Sequence, residues 1–236
     1  MRMLDFRRRL HKYPELSFEE HDTQQFIIEV LRSEGIPYRT IAGTGVLAII
    51  EGKRGNHERA VVLRADIDAL PIEELNSVEY RSENKGVMHA CGHDMHAAIL
   101  FGVLQNLNRE RDFEGTLFGI FQPGEELNPG GASLVLQEEP FKGYNVAAVI
   151  GEHVDASLEV GEIGICPGRF MRTRRTPQGD RRHRNSNGRY GYPHYSTQLT
   201  RWRGIGGSCN CRGCHKCNPK HRNSRGNNAN LRQRGA

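Results

Sequence analysis

Residues 1–171 predict an α/β fold, a mostly parallel sheet covered by helices on both faces, followed by a disordered C-terminal tail. Three observations carry this expectation. Short, continuous apolar runs recur along the chain, as expected of strands buried on both faces. Segments with apolar residues at helical spacing fall between them, and strands alternating with helices argue for a parallel sheet. At Arg172 both patterns stop together.

The elements follow in order. Ser17-Phe-Glu-Glu20 reads as a capping box, in which Ser17 and Glu20 reciprocally satisfy free backbone N–H groups. The helix it opens carries Phe26, Ile27, Val30 and Leu31 on one face and stops at Gly35. Gly45–Ile50 and Ala60–Arg64 are apolar runs of strand length. Asp94 is placed to cap a helix running through Ala97, Leu100, Val103 and Leu107. Gly115–Phe121 and Val146–Ile150 supply two further buried strands. In such sheets ligands gather at the loops that follow strand C-termini.

The formal charge of +5 over 236 residues conceals a block shift. Residues 172–236 hold 16 of the 33 Lys and Arg but a single acid, Asp180, which makes the tail +15 and the rest −10. Four of the six cysteines also lie there. The tail is Arg, Asn, Gly and Ser without apolar periodicity, and burial cannot offset the entropy of ordering it. Two domains are therefore expected, 1–171 folded and 172–236 basic and disordered. No run approaches the ~20 apolar residues a membrane span needs, and the N-terminus has no signal-like apolar core, so a cytoplasmic protein with no membrane partner is expected.

Four polar clusters fall at or after strand ends. Asp66 and Asp68 alternate as a strand runs out, which points them the same way. His89-Ala-Cys-Gly-His-Asp-Met-His96 follows, then Gln122-Pro-Gly-Glu-Glu126, then Gly151-Glu-His153. Singly, each has an ordinary reading: carboxylates capping a loop, a small core thiol, a solvated acidic face. Together they hold the Cys, His and Glu donors that zinc, manganese or cobalt accept. Cys91 and His93 alternate around Gly92, so both can face one ion. The neighbouring carboxylates of Glu125 and Glu126 must diverge, so one can bind metal while the other stays free as a base.

With Leu10-His-Lys-Tyr-Pro-Glu-Leu16, Arg64–Pro71, His89–His96, Gly115–Glu126 and Gly151–Val154 in this order, the chain resembles the metal-dependent amidohydrolases. That family includes aminoacylase, hippurate hydrolase, indole-acetyl-amino-acid hydrolases and N-acetyldiaminopimelate deacetylase. The resemblance implies a zinc-exopeptidase-like catalytic domain and two divalent ions, zinc or manganese, with cobalt or nickel compatible. By position it implies metal ligands Cys91, His93, Glu126 and His153, a general base Glu125, and Asp68 as a carboxylate that orients a ligand. The implied reaction is hydrolysis of the amide of a small N-acyl amino acid. His89 and His96 match the motif, and packing or outer hydrogen bonds are expected of them.

Members of that family run to nearly twice this length. They continue into a lid domain through which they commonly form homodimers, and then return to supply a last histidine ligand. Nothing in 172–236 resembles either part, and a reading-frame shift near codon 172 is the expected cause of the change. Weak or absent turnover is the expectation for such a fragment. The alternative reading keeps the tail: Cys209, Cys211, Cys214 and Cys217 form a zinc knuckle, and the +15 charge binds nucleic acid. Against it, the four thiols are packed more closely than paired knuckles usually are.

Overall fold

A computed structural model describes residues 1–155 and Ile163. The expected boundary after Met171, the basic tail and its cysteines lie outside the described residues. The elements run α1 (Met3–Lys12), α2 (His21–Ser33), β1 (Tyr38–Ile41), β2 (Gly45–Glu51), β3 (Arg59–Asp66), α3 (His93–Glu110), β4 (Thr116–Gln122), α4 (Gly131–Gln137) and β5 (Asn145–Gly151).

The strands form one sheet in the order β1-β2-β4-β3-β5. β4, β3 and β5 are parallel, whereas β2 runs antiparallel to β4 and β1 antiparallel to β2. The expected α/β sheet is thus mixed rather than mostly parallel. The cause is local: only three residues separate β1 from β2, and so short a link can join only antiparallel neighbours. The crossover helix α3 then brings β4 back beside β3, as parallel pairing requires.

Side chains alternate across the sheet as its pleat dictates. Val46, Ala48, Ile50, Ala65, Leu117 and Phe121 face one core, with Phe6 and Leu10 of α1, Ile27 and Leu31 of α2, and Phe101 and Leu104 of α3. Leu47, Val62, Phe118 and Ile120 face the other, under Val135 of α4. Phe6 and Phe101 stack at 4.7 Å between centroids and tie α1 to α3. Gly119 lets α3 lie close on β4, since a Cβ there would stand 2.7 Å from the Leu104 side chain. Among the described residues no helix is long and apolar enough to cross a membrane.

Two expected caps are corrected. Ser17 does not cap α2; its hydroxyl donates to Asp68 Oδ2 at 2.7 Å. The Glu15 carboxylate instead accepts the Asp22 and Thr23 N–H groups at 3.2 and 2.7 Å. Glu20 is fully buried, accepting from the Thr44 hydroxyl and, at 2.8 Å, from the Gly124 N–H. Asp94 lies inside α3, and Gly92 precedes the helix in a left-handed conformation. The Asp94 carboxylate is drawn to His11 Nδ1 at 2.9 Å and Arg7 Nε at 3.0 Å. In both cases a long-range charged or hydroxyl partner outcompetes the local backbone donor.

Candidate metal centre

The C-terminal ends of the three parallel strands and the start of α3 converge on one place. β3 delivers Asp66 and Asp68, both 1% exposed, while Ile67 between them enters the core. β4 delivers Gln122 and leads to Glu125 and Glu126; β5 leads to His153. Cys91 and His93 flank Gly92, whose φ of +84° makes the reversal into α3. A Cβ at Gly92 would stand 2.5 Å from Val154 Cγ2, so only glycine fits both the turn and the neighbour.

His93 is at the middle. Its ligand-type atoms lie within 4.8 Å of those of Cys91 and His153, of Glu125 and Glu126, and of Asp66 and His96, three trios that all share His93. The ring is oriented by Asp68, whose carbonyl oxygen and Oδ1 both face Nδ1, at 2.8 and 3.1 Å. The other nitrogen, Nε2, is buried without a hydrogen-bond partner, 3.6 Å from Asp66 Oδ2 and 3.8 Å from Glu126 Oε1. Asp68 Oδ2 in turn accepts from the Ser17 hydroxyl and from the Glu126 N–H at 2.9 Å. One carboxylate thus ties α2's approach, the α3 start and the Glu125-Glu126 loop together.

The electrostatics ask for positive charge. Burial by itself would lower the His93 pKa, but the Asp68 hydrogen bond, the neighbouring Cys91 thiol and the charges of Asp66 and Asp68 outweigh it, raising the pKa to about 11. Cys91 Sγ lies 3.3 Å from His153 Nε2. That contact draws the thiol down and lifts His153 to about 9. Burial, then the charges of Glu126 and Asp66, push Glu125 up. Burial also opposes ionisation of Asp66 and Asp68, yet the His96 and His93 hydrogen bonds win and hold both below the usual carboxylate range.

A divalent cation fits this donor set. The buried, unpartnered Nε2 of His93 faces two carboxylates, beside a thiol of lowered pKa and a second imidazole, and these are groups that zinc accepts. Cys91, His93, Glu126 and His153 are brought together, with Glu125 beside them and Asp68 behind His93. The two remaining histidines separate: His96 joins the centre through Asp66, while His89 is buried with neither ring nitrogen hydrogen-bonded, and burial lowers its pKa to about 4.

Several residues of the site have roles that no local sequence pattern indicates. Arg64 reaches both Asp66 at 2.8 Å and Gln122 Oε1 at 2.8 Å, pinning the β3 end to the β4 end. Glu20 holds the turn at Gly124 that aims the two glutamates. A buried group of His11, Glu74 and Asp94 braces α1 against the start of α3. Only the parallel register, which sets Asp66 opposite Gln122, could have pointed to the first of these.

The chain also matches known proteins. A model of the family described as peptidase family M20/M25/M40 matches residues 62–232, a stretch that reaches into the basic tail. An N-acyl-L-amino acid amidohydrolase of Geobacillus stearothermophilus is 44% identical over 171 residues, covering 72% of this chain and 45% of that protein. An N-acetyl-L-cysteine deacetylase of Bacillus subtilis (strain 168) is also 44% identical over 171 residues, covering 72% and 40%. Among solved structures, the Bacillus subtilis YXEP protein, a dinuclear metal-binding peptidase, superposes with a TM-score of 0.66 at 41% identity, covering 70% of this chain and 46% of that one. The chain spans less than half the length of each of these relatives.

Proposed function

The chain belongs to peptidase family M20/M25/M40, and on that footing we propose that residues 1–171 form the metal-binding part of an amidohydrolase that cleaves N-acyl amino acids. Cys91, His93, Glu126 and His153 would hold two divalent ions, zinc or manganese, with cobalt and nickel compatible with the same donors. The observation that carries this reading is the buried Nε2 of His93, unpartnered and aimed between two carboxylates. The relatives named above support the substrate class, since one acts on N-acyl-L-amino acids and another deacetylates N-acetyl-L-cysteine.

When bound, the ions polarise an amide carbonyl and lower the pKa of water. The rest falls to the chain's own side chains. Glu125 takes the proton of the attacking water; the raised pKa that burial and its neighbours give it suits a base that must later return the proton. That proton goes to the amide nitrogen as the C–N bond breaks, leaving a carboxylic acid and a free amino acid. Asp68 fixes the His93 ring through Nδ1 and keeps Nε2 directed into the centre. A cytoplasmic setting keeps Cys91 reduced, as a ligand must be.

The test begins with metal uptake by the full chain, followed by its action on a panel of N-acetyl L-amino acids with simple esters as controls. Wild-type protein retains zinc or manganese after dialysis and His93→Ala loses it. Equal metal content in the two proteins sinks the reading.

A further inference from the structure

His96 is not used by the chemistry above, and both of its ring nitrogens are hydrogen-bonded. The backbone N–H of Val154 donates to His96 Nε2 at 2.9 Å. Because that N–H can only donate, Nε2 carries the lone pair and Nδ1 carries the hydrogen. Nδ1–H therefore donates to Asp66 Oδ1, at 2.6 Å. The ring is fully buried, and Asp66 is itself fixed by Arg64 at 2.8 Å. Both nitrogens are thus committed, and Asp66, His93 and His96 do not form a metal trio despite their closeness.

What the ring holds is the segment after β5. Val154 is the residue next to His153, and its side chain fills the space over Gly92 that a Cβ would occupy. The His153 ring packs on His96 at 4.6 Å between centroids and presents Nε2 to Cys91 Sγ at 3.3 Å. His153 is exposed; its Nδ1 bonds only to the adjacent Val154 carbonyl and its Nε2 only to Cys91 in the loop before α3, so none of its own hydrogen bonds ties it to the sheet.

We infer that His96 is a positioning residue: as a neutral Nδ1–H imidazole held by Asp66, it captures the Val154 N–H and so sets His153 opposite Cys91. This rests on the reading of His153 as a metal ligand. The chain Arg64–Asp66–His96–Val154 runs from β3 through α3 to the end of β5, linking by side chains what the sheet's pairing leaves loose beyond Gly151.

The experiment is a cobalt(II) titration of the full chain, with the four tail cysteines changed to serine so that they bind nothing. His96→Ala, His153→Ala and the double variant are compared, with folding checked by circular dichroism. His96→Ala weakens cobalt binding about ten- to a hundredfold, the range for loss of a group that orients a ligand. His96→Gln, whose carbonyl can reach the Val154 N–H, recovers part of the loss. The double variant binds no more weakly than His153→Ala alone, because His96 acts only through His153.

Additive losses would mean that His96 meets the ion directly and would overturn the inference; so would wild-type affinity in His96→Ala. A second measurement needs no metal: the Val154 amide is protected from hydrogen exchange in wild type and loses protection in His96→Ala and His96→Asn. An unprotected Val154 amide in wild type overturns the inference even if cobalt binds. A wild-type chain that takes up no cobalt overturns the ligand reading as well, which separates the two failures.

Discussion

Replacing Asp68 with alanine removes one carboxylate and three of its bonds at once. Its Oδ1 faces His93 Nδ1 at 3.1 Å, and Oδ2 accepts from the Ser17 hydroxyl at 2.7 Å and the Glu126 N–H at 2.9 Å. The carboxylate is 1% exposed, so water cannot substitute for it. Removing one member of a buried charged pair costs about 3–5 kcal/mol, and each neutral hydrogen bond adds about 1 kcal/mol. Part of this is returned because Asp68 no longer has to be desolvated. The net loss expected for Asp68→Ala is therefore on the order of 4 kcal/mol, a large share of the ~5–15 kcal/mol of a typical domain. Urea denaturation in EDTA reads it as a shift of midpoint at constant slope. Ser17→Ala alone costs about 1 kcal/mol, and close to nothing in the Asp68→Ala background. A loss under 1 kcal/mol for Asp68→Ala, or an undiminished Ser17 effect in the double variant, refutes the arrangement; the latter is what a capping role for Ser17 predicts.

The remaining expectations follow from single features. Phe101→Ala, which opens the stacked contact with fully buried Phe6, lowers stability by about 3–5 kcal/mol in the same denaturation assay. Gly92→Ala meets both a φ of +84° and Val154 at 2.5 Å, and costs about 1–3 kcal/mol with loss of metal uptake; unchanged uptake and stability would show that the turn relaxes freely. His11 is raised above 6.5, first by its hydrogen bond to Asp94, against burial, and then by Glu74. Its contribution is present in full below the unfolded value near 6.5 and is lost as pH rises through the folded value. The stability difference between wild type and His11→Gln in EDTA therefore shrinks as pH climbs above 6.5, and a constant or growing difference contradicts the assignment. Zinc at a hundred times its dissociation constant raises the unfolding free energy by about 2.7 kcal/mol, and EDTA reverses this.

Much of this was legible in the sequence because the relevant patterns are local. The apolar strands β2, β3, β4 and β5 and the helices now seen as α2 and α3 follow from apolar runs and helical spacing, although β5, expected to be buried, is a half-exposed strand at the sheet edge; the spacing of Asp66 and Asp68 set both carboxylates to one side of Ile67. Elements with weak local patterns were not read. α1 presents only Phe6 and Leu10 to the core amid three consecutive arginines, β1 is four residues long, and α4 is seven. The two misread caps share a cause: Ser17 and Asp94 carry the right side chains for capping, but Asp68 and His11 compete for them from 51 and 83 residues away. Such competition is a property of the folded sheet and leaves no trace in spacing. The antiparallel entry of β2 was equally hidden, since a continuous apolar run reads the same in either direction.

The most direct test of the central claim is metal stoichiometry by mass spectrometry of the intact, natively sprayed chain after zinc dialysis. Three proteins are compared: wild type, Cys91→Ala/His93→Ala, and a form with Cys209, Cys211, Cys214 and Cys217 all changed to serine. If residues 66–153 build the metal centre, the serine form keeps its zinc and Cys91→Ala/His93→Ala loses at least one ion. If zinc instead survives loss of Cys91 and His93 and vanishes with the tail cysteines, the metal belongs to the tail and the assignment is contradicted.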